Sequence, residues 1–272
     1  MEEGPTKIEV SEERMSKYKN KALHGQFGTA AEQVRDPESW GWLKRGILKK
    51  ETEGLLTAAQ YQALRTNSIK NRIDKEDVSP MCRLCGEREE TVSHIVAECK
   101  KLAQREYKMW RHDKVGQVIH WKFCQKFNIP CKDKWYVHDP EGVIENDQVK
   151  VLWDFRIQTD HQIEHNRPDV VVLDKIERSC YVIDIACSFD TRVLEKEQEK
   201  MEKYQELKRE IGKIWSCRKL IVVPIVIGAL GTFSKNLKIS LKKIGLDCTL
   251  FTKSLLVGNG KNLEKNTRHL RP

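Results

Sequence analysis

Residues 167–190 carry the sequence RPDVVVLDKIERSCYVIDIACSFD, and this stretch decides the fold. Two runs rich in β-branched residues, 169–173 and 180–187, flank a polar segment over 174–179. Such runs on either side of a turn are typical of strands, so the pattern predicts an antiparallel hairpin. Pro168 supports this interpretation, because proline disfavours helix in the residue before it.

The segments around the hairpin predict an α/β domain over residues 145–255. Residues 148–165 look helical and stop just before a proline-containing turn. Residues 220–227 form a nearly continuous apolar run, which is typical of a strand buried on both faces. A helix over 234–244 and a last strand over 246–251 complete the predicted domain.

The rest of the chain divides by composition. Residues 1–51 are polar and weakly patterned, and we expect loops and short helices there. Residues 52–138 predict a helical linker that contains a cysteine cluster at 82–99, and its first part, 52–73, holds good helix formers and no proline. Residues 256–272 form a basic tail.

Two acidic residues mark the predicted hairpin as a candidate site. Asp169 starts one strand, and Asp184 lies in the middle of the next, between Ile183 and Ile185. A carboxylate inside an apolar strand is costly unless it is paired or binds a metal. If the strands form a hairpin, both acids converge at one edge, where two carboxylates suffice to hold Mg²⁺.

Two lysines lie on the helix predicted next, over residues 191–215. Lys200 and Lys203 are three residues apart and border the apolar stripe, so either could orient a nucleophile or neutralise charge in a transition state. The alternative is a salt-bridged outer face, since this segment holds seven Lys or Arg and six Glu. The apolar stripe consists of Leu194, Met201, Tyr204, Leu207, Ile211 and Ile214.

The cysteine cluster predicts a zinc site. Cys82, Cys85, His94 and Cys99 follow the spacing C-x2-C-x8-H-x4-C, and zinc accepts such mixed sulfur and nitrogen ligands. Because protein would fill all four positions, the ion should be structural. A chance group of reduced core cysteines is the alternative. Basic residues that we expect to contact nucleic acid are Arg83, Arg88, Lys100, Lys101 and Arg167.

The net charge and the cysteine content indicate which partner and which cellular compartment to expect. The chain has 272 residues with 49 Lys and Arg against 40 Asp and Glu, and this excess favours a polyanionic partner. The first ten residues lack the apolar core of a secretory signal, and the longest apolar run is too short to span a membrane. The nine cysteines therefore suggest metal binding in a reducing, intracellular setting. We also expect a nuclear location and no membrane partner.

These motifs together resemble one family. RPD at 167–169, Asp184 in VIDIA and KMEKY at 200–204 resemble the PD-(D/E)XK restriction-like endonucleases. With a C-C-H-C knuckle placed before them, they look like the C-terminal region of site-specific non-LTR retrotransposon polyproteins. The usual lysine two residues after the strand acid is replaced by Ala186, and the retrotransposon group tolerates this because its lysine lies on the following helix.

The resemblance implies an α/β fold in which a small helical zinc-knuckle region precedes a restriction-endonuclease-like core, a mixed sheet flanked by helices. It implies that Asp169 and Asp184 bind Mg²⁺ or Mn²⁺ and that Lys200, with Lys203 beside it, supplies the lysine function. The expected partners are DNA and possibly the RNA of the element. No reverse-transcriptase palm signature occurs, so we expect a separated endonuclease module or a relic of a longer reading frame.

Two other interpretations stay open from the sequence. His161, Glu164 and His165 match the H-x-x-E-H order of inverted zinc metalloproteases, although the segment soon ends at a proline. The chain could also be a zinc-knuckle protein that binds nucleic acid on a nuclease scaffold that no longer cleaves. The sequence has no pattern that addresses the oligomeric state.

Overall fold

A five-stranded mixed sheet organises the computed structural model, which describes residues 6–34, 37–40, 43, 46 and 48–246. The spatial order of the strands is β1-β2-β3-β4-β5. The first four are antiparallel to their neighbours, and β5 runs parallel to β4. The strands are β1 (Val143–Glu145), β2 (Val149–Trp153), β3 (Val170–Asp174), β4 (Ser179–Ser188) and β5 (Lys219–Gly228).

The predicted hairpin is confirmed as β3 and β4. Val170 pairs with Ile183 and Asp174 with Ser179, so the two strands are joined by a four-residue turn. The turn is held by Asp174, whose Oδ1 accepts a hydrogen bond from the backbone amide of Glu177 at 2.8 Å. This register places Asp169, one residue before β3, beside the middle of β4.

The helix predicted over 148–165 is wrong. Its first residues form β2, a strand that pairs with both β1 and β3 and in which Val149, Val151 and Leu152 are buried. Asp154 then takes a positive φ of 46°, which ends the strand, and residues 155–169 run without helix. Cross-strand pairing and burial outweigh the local helix preference of this segment.

Helices precede the five strands in the chain, separate β4 from β5, and follow β5. The predicted helix over 191–215 is two helices that meet at Tyr204, and the predicted helix over 52–73 is also two. The helix over 234–244 is confirmed, with the Ser234 hydroxyl capping its first turn. In chain order the helices are α1 (Lys7–Lys19), α2 (Gln26–Val34), α3 (Lys50–Gln60), α4 (Asn67–Arg72), α5 (Asp113–Lys126), α6 (Val193–Lys203), α7 (Gln205–Ile214) and α8 (Lys235–Lys243).

Helices cover both faces of the sheet. Helices α5 and α8 pack on one face, where Ile119 and Leu241 meet Val172 and Ile225. Helix α7 packs on the other face around Leu207. On α5, a Cβ at Gly116 would collide with the Trp153 indole, so the absence of a side chain there lets the helix approach β2. Strand β5 is buried on both faces as predicted.

The N-terminal helices join the sheet domain through a shared core. Phe27 of α2 and Leu56 of α3 belong to the same apolar cluster as Leu230, which follows β5. The buried side-chain amide of Gln60 donates a hydrogen bond to the carbonyl of Leu230 at 2.8 Å. Among the described residues no helix is both long and apolar enough to cross a membrane. Most of the strand predicted over 246–251 and the basic tail lie outside the described residues.

Candidate active site and zinc cluster

The four predicted zinc ligands lie together. Atoms able to bind a metal on Cys82, Cys85, His94 and Cys99 are all within 4.8 Å of one another. The Sγ of Cys85 and the Nε2 of His94 are 3.3 Å apart. All but Cys85 are buried. The three cysteines are free thiols, so no disulfide bond occupies a ligand position. The cluster can therefore hold one zinc ion.

A tight turn directs the first two thiols. The backbone amide of Gly86 donates to the carbonyl of Cys82 at 2.7 Å, and Gly86 has a φ of +68°, a conformation that favours glycine. The amide of Cys82 donates to the carbonyl of Arg88, which closes a small hairpin. Hydrogen bonds from the backbone, led by the amide of Glu87, lower the pKa of Cys85 and so favour the thiolate that a metal requires.

One tyrosine fixes the other two ligands. His94 begins a π-helical turn, His94–Glu98, and Cys99 follows it directly. The hydroxyl of Tyr107 donates to the carbonyl of Ile95 at 2.7 Å and accepts from the amide of Cys99 at 3.3 Å. The chain then continues through a short helical turn, Lys100–Leu102, and a π-helical segment, Ala103–His112, that leads into α5.

The two predicted acids also converge. The Oδ2 of Asp169 accepts a hydrogen bond from the amide of Ile185 at 2.6 Å, so Asp169 reaches across to β4 directly beside Asp184. Asp184 is buried within β4, with 2% of its surface exposed. Burial and the charge of Asp169 raise the pKa of Asp184, against the opposing effect of Lys200 and Lys203.

Both predicted lysines point to Asp184. The Nζ of Lys200 lies 2.5 Å from Oδ2, and the Nζ of Lys203 lies 3.7 Å from Oδ1. Lys203 also stands over the Tyr204 ring, 4.6 Å from its centroid. These two lysines are therefore part of the carboxylate cluster, whereas Lys196, one turn earlier, pairs with Glu199.

Sequence reasoning missed two residues of this cluster. The hydroxyl of Tyr204 donates to Oδ1 of Asp184 at 2.8 Å, although the sequence analysis placed Tyr204 in the apolar stripe and in the KMEKY motif without a role in the site. The Nε2 of His112 lies 3.2 Å from Oδ2 of Asp169, and its Nδ1 lies 2.9 Å from Asp113. His112 precedes Asp169 by 57 residues, and no linear spacing signals their contact.

His112 and Asp169 each stabilise the charged form of the other. Although burial favours the neutral ring, hydrogen bonds to Asp113 and Asp169 raise the pKa of His112 to about 10. Burial opposes the charged form of Asp169 as well, yet the contacts with His112, the Ile185 amide and Lys200 hold its pKa below the ordinary value. The pair is therefore an imidazolium and a carboxylate at neutral pH.

The donor set fits a divalent cation. Two carboxylates from neighbouring strands face one another, and oxygen ligands of this kind suit Mg²⁺ and Mn²⁺. The Oδ2 of Asp184 is buried and receives no hydrogen bond of good geometry among the described residues, so its close polar neighbour is the Lys200 ammonium. A buried oxygen in that state calls for a cation, and a lysine or a metal ion can supply it.

The predicted nucleic-acid contacts have acidic neighbours. Arg83 forms an ion pair with the fully buried Glu90 at 2.7 Å and so helps to hold the knuckle. Arg88, Lys100 and Arg167 are exposed but pair with Glu98, Glu87 and Asp154. Lys101 is exposed. Contact of these residues with nucleic acid stays a prediction.

The helix that the metalloprotease interpretation requires is absent from residues 155–169. His161 and His165 lie in the irregular segment after β2, so no helical face aligns them. His161 instead lies 3.4 Å from Glu206 of α7. Comparison of the chain with models of known protein families and with curated protein sequences gives no match.

The zinc cluster predicts a simple metal balance. Replacing Cys85 by serine removes a thiolate ligand, so we expect the purified protein to lose about one equivalent of bound zinc relative to wild type. Metal analysis by mass spectrometry measures this. Cys217→Ser, which changes a free thiol outside the cluster, should keep the wild-type content. Equal zinc in the Cys85→Ser and wild-type proteins would exclude the cluster as a zinc site.

The contact between His112 and Asp169 predicts a pH-dependent stability. Because the pKa of His112 is about 10 in the folded protein against 6.5 ordinarily, its stabilisation is complete below about pH 6.5 and disappears as the pH rises to about 10. The free energy of unfolding of His112→Gln should therefore lie furthest below the wild-type value at about pH 6, and this difference should become small by about pH 9.5. Urea unfolding at several pH values tests this.

A matched control is His161→Gln, which changes an exposed histidine. The difference in free energy of unfolding between His161→Gln and wild type should not shrink between about pH 6 and about pH 9.5. A difference for His112→Gln that is constant, or that widens with pH, would show that the imidazolium pair with Asp169 does not form.

Proposed function

We propose that this chain is a metal-dependent endonuclease that nicks DNA by hydrolysis of a phosphodiester bond. The observation that carries the proposal is the meeting of Asp169, Asp184 and Lys200 at one point of the sheet. Two carboxylates and a lysine, set on rigid strands and a helix, are the groups that phosphodiester hydrolysis needs.

The order of the elements supports a restriction-endonuclease-like core. One acid stands at the start of β3, the other lies within β4, and both lysines lie on the helix that follows. This order is the one implied by the resemblance to retrotransposon endonucleases, in which the lysine has moved from the strand to the helix. We propose on this ground that the chain is part or a relic of a non-LTR retrotransposon polyprotein.

Each residue of the cluster has a defined task in this proposal. Asp169 and Asp184 would hold Mg²⁺ or Mn²⁺, which when bound polarises the phosphate and lowers the pKa of the attacking water. Lys200 and Lys203 place positive charge where the phosphate becomes more negative in the transition state. Tyr204 fixes one oxygen of Asp184, and His112 fixes one oxygen of Asp169.

The expected partner is DNA, with the RNA of the element as a second nucleic acid. The net charge of +9 favours a polyanion, because each basic group on a phosphate releases a counterion. The zinc knuckle is part of the same body as the sheet, since the segment that leaves Cys99 ends at His112 beside Asp169. A zinc knuckle next to a carboxylate cluster suits a protein that holds nucleic acid while it cuts.

One observation favours the second candidate function, binding without cleavage. The ammonium of Lys200 forms an ion pair with the buried Oδ2 of Asp184, so a side chain of the protein already balances the negative charge of this carboxylate. A protein that retains the knuckle and its charge while using this lysine only as a structural counterion would bind nucleic acid and leave it intact.

A nicking assay on supercoiled duplex DNA with Mg²⁺ or Mn²⁺ separates the two functions. We expect the wild type to cut, Asp184→Asn to abolish cutting, and Lys200→Ala to slow it by roughly 10²–10³-fold, because the stabilisation of transition-state charge is lost. Binding of the same DNA, measured by fluorescence anisotropy, should be retained by Asp184→Asn.

Two matched controls accompany the assay. Asp174→Asn changes an acid at the opposite end of β3, and Lys196→Ala changes a lysine one turn earlier on α6. Both should cut at the wild-type rate. A wild-type protein that binds DNA but does not cut it with either metal would reject the endonuclease and establish the binding function.

A further inference from the structure

A second group of metal-binding side chains lies apart from both sites. His120, Cys124 and His138 are all buried and offer ligand atoms within 4.8 Å of one another. His120 and Cys124 lie one turn apart on α5, and His138 follows a short 3-10 turn, Trp135–Val137. The sequence motifs and the proposed nuclease chemistry leave these three residues without a role.

The distances are those of ligands around a small cation. The Nδ1 of His120 lies 3.6 Å from the Sγ of Cys124 and 2.8 Å from the Nε2 of His138. In a tetrahedral site with bonds of about 2.1 Å to nitrogen and about 2.3 Å to sulfur, ligand atoms stand roughly 3.3 to 3.8 Å apart. The first distance fits, and the second needs only a small separation of the two rings.

The surroundings hold the three side chains in place. The side-chain amide of Gln117 donates to the backbone carbonyl of His138, and the indole of Trp121 donates to the carbonyl of Lys132 at 2.7 Å. Both contacts fasten the segment after α5 to the helix. The Trp153 ring stands edge-on to His120, with centroids 6.1 Å apart.

The ligand atoms are shielded from solvent, because all three residues are buried. Metal binding requires neutral imidazoles and a deprotonated thiol, so uptake of a metal ion would release the proton of Cys124.

We infer that His120, Cys124 and His138 bind a second zinc ion, which fastens the segment after α5 to the helix. Two imidazoles and one thiolate match the preference of zinc for mixed nitrogen and sulfur ligands. A fourth position is left for solvent. This site is independent of the proposed nuclease activity.

Metal analysis of the full chain tests the inference. We expect about two equivalents of zinc in the wild type and about one in Cys124→Ser and in His138→Gln. The control Cys217→Ser should keep about two, and the double variant Cys85→Ser with Cys124→Ser should hold close to none. Circular dichroism shows whether each variant is folded.

Cobalt titration of the wild type decides the question even if a variant does not fold. Metal-free wild type, titrated in excess Mg²⁺ so that Co²⁺ does not occupy the Asp169 and Asp184 carboxylates, should take up Co²⁺ with about two equivalents at saturation, and the site with one thiolate should add about a third of the thiolate-to-cobalt absorption of the knuckle. Saturation at about one equivalent would overturn the inference. His120 and His138 would then form only a hydrogen bond to each other.

Discussion

The rest of the structure depends on the burial of the Asp184 carboxylate inside a β-sheet. A charged group between Ile183 and Ile185 is unfavourable unless its oxygens are compensated, and removing its partners would leave a buried charge. Tyr204 and Lys200 provide the compensation, and both come from the crossover that joins β4 to β5. The crossover therefore has to return over the sheet at the level of Asp184.

This constraint accounts for the break between α6 and α7. The chain leaves regular helix at Tyr204, whose side chain is almost fully buried and whose hydroxyl reaches Asp184. Before the break, α6 has few buried residues and carries both lysines to the carboxylate, and after it α7 buries Leu207 and Ile211 on the sheet. A largely exposed helix and an amphipathic helix thus share one crossover, and the carboxylate cluster lies at their junction.

The sequence predicted the elements whose signal is local. The hairpin and β5 follow from runs of apolar residues, and the zinc ligands follow from their spacing. β2 was missed because residues 149–153, VKVLW, were interpreted together with the segment up to 165 as one helix, although their β-branched and aromatic side chains suit a strand. His112 could not be predicted as a partner of Asp169, because the contact exists only after α5 has packed on the sheet.

The central claim is that Asp169 and Asp184 together hold a divalent cation. Electron paramagnetic resonance of Mn²⁺ tests it most directly when the zinc sites are filled, since free Mn²⁺ gives a sharp signal that binding broadens. The account predicts about one bound Mn²⁺ per chain in the wild type and its loss in Asp169→Asn, with wild-type binding in Asp174→Asn. Equal Mn²⁺ binding in Asp169→Asn and wild type, or none in the wild type, would contradict it.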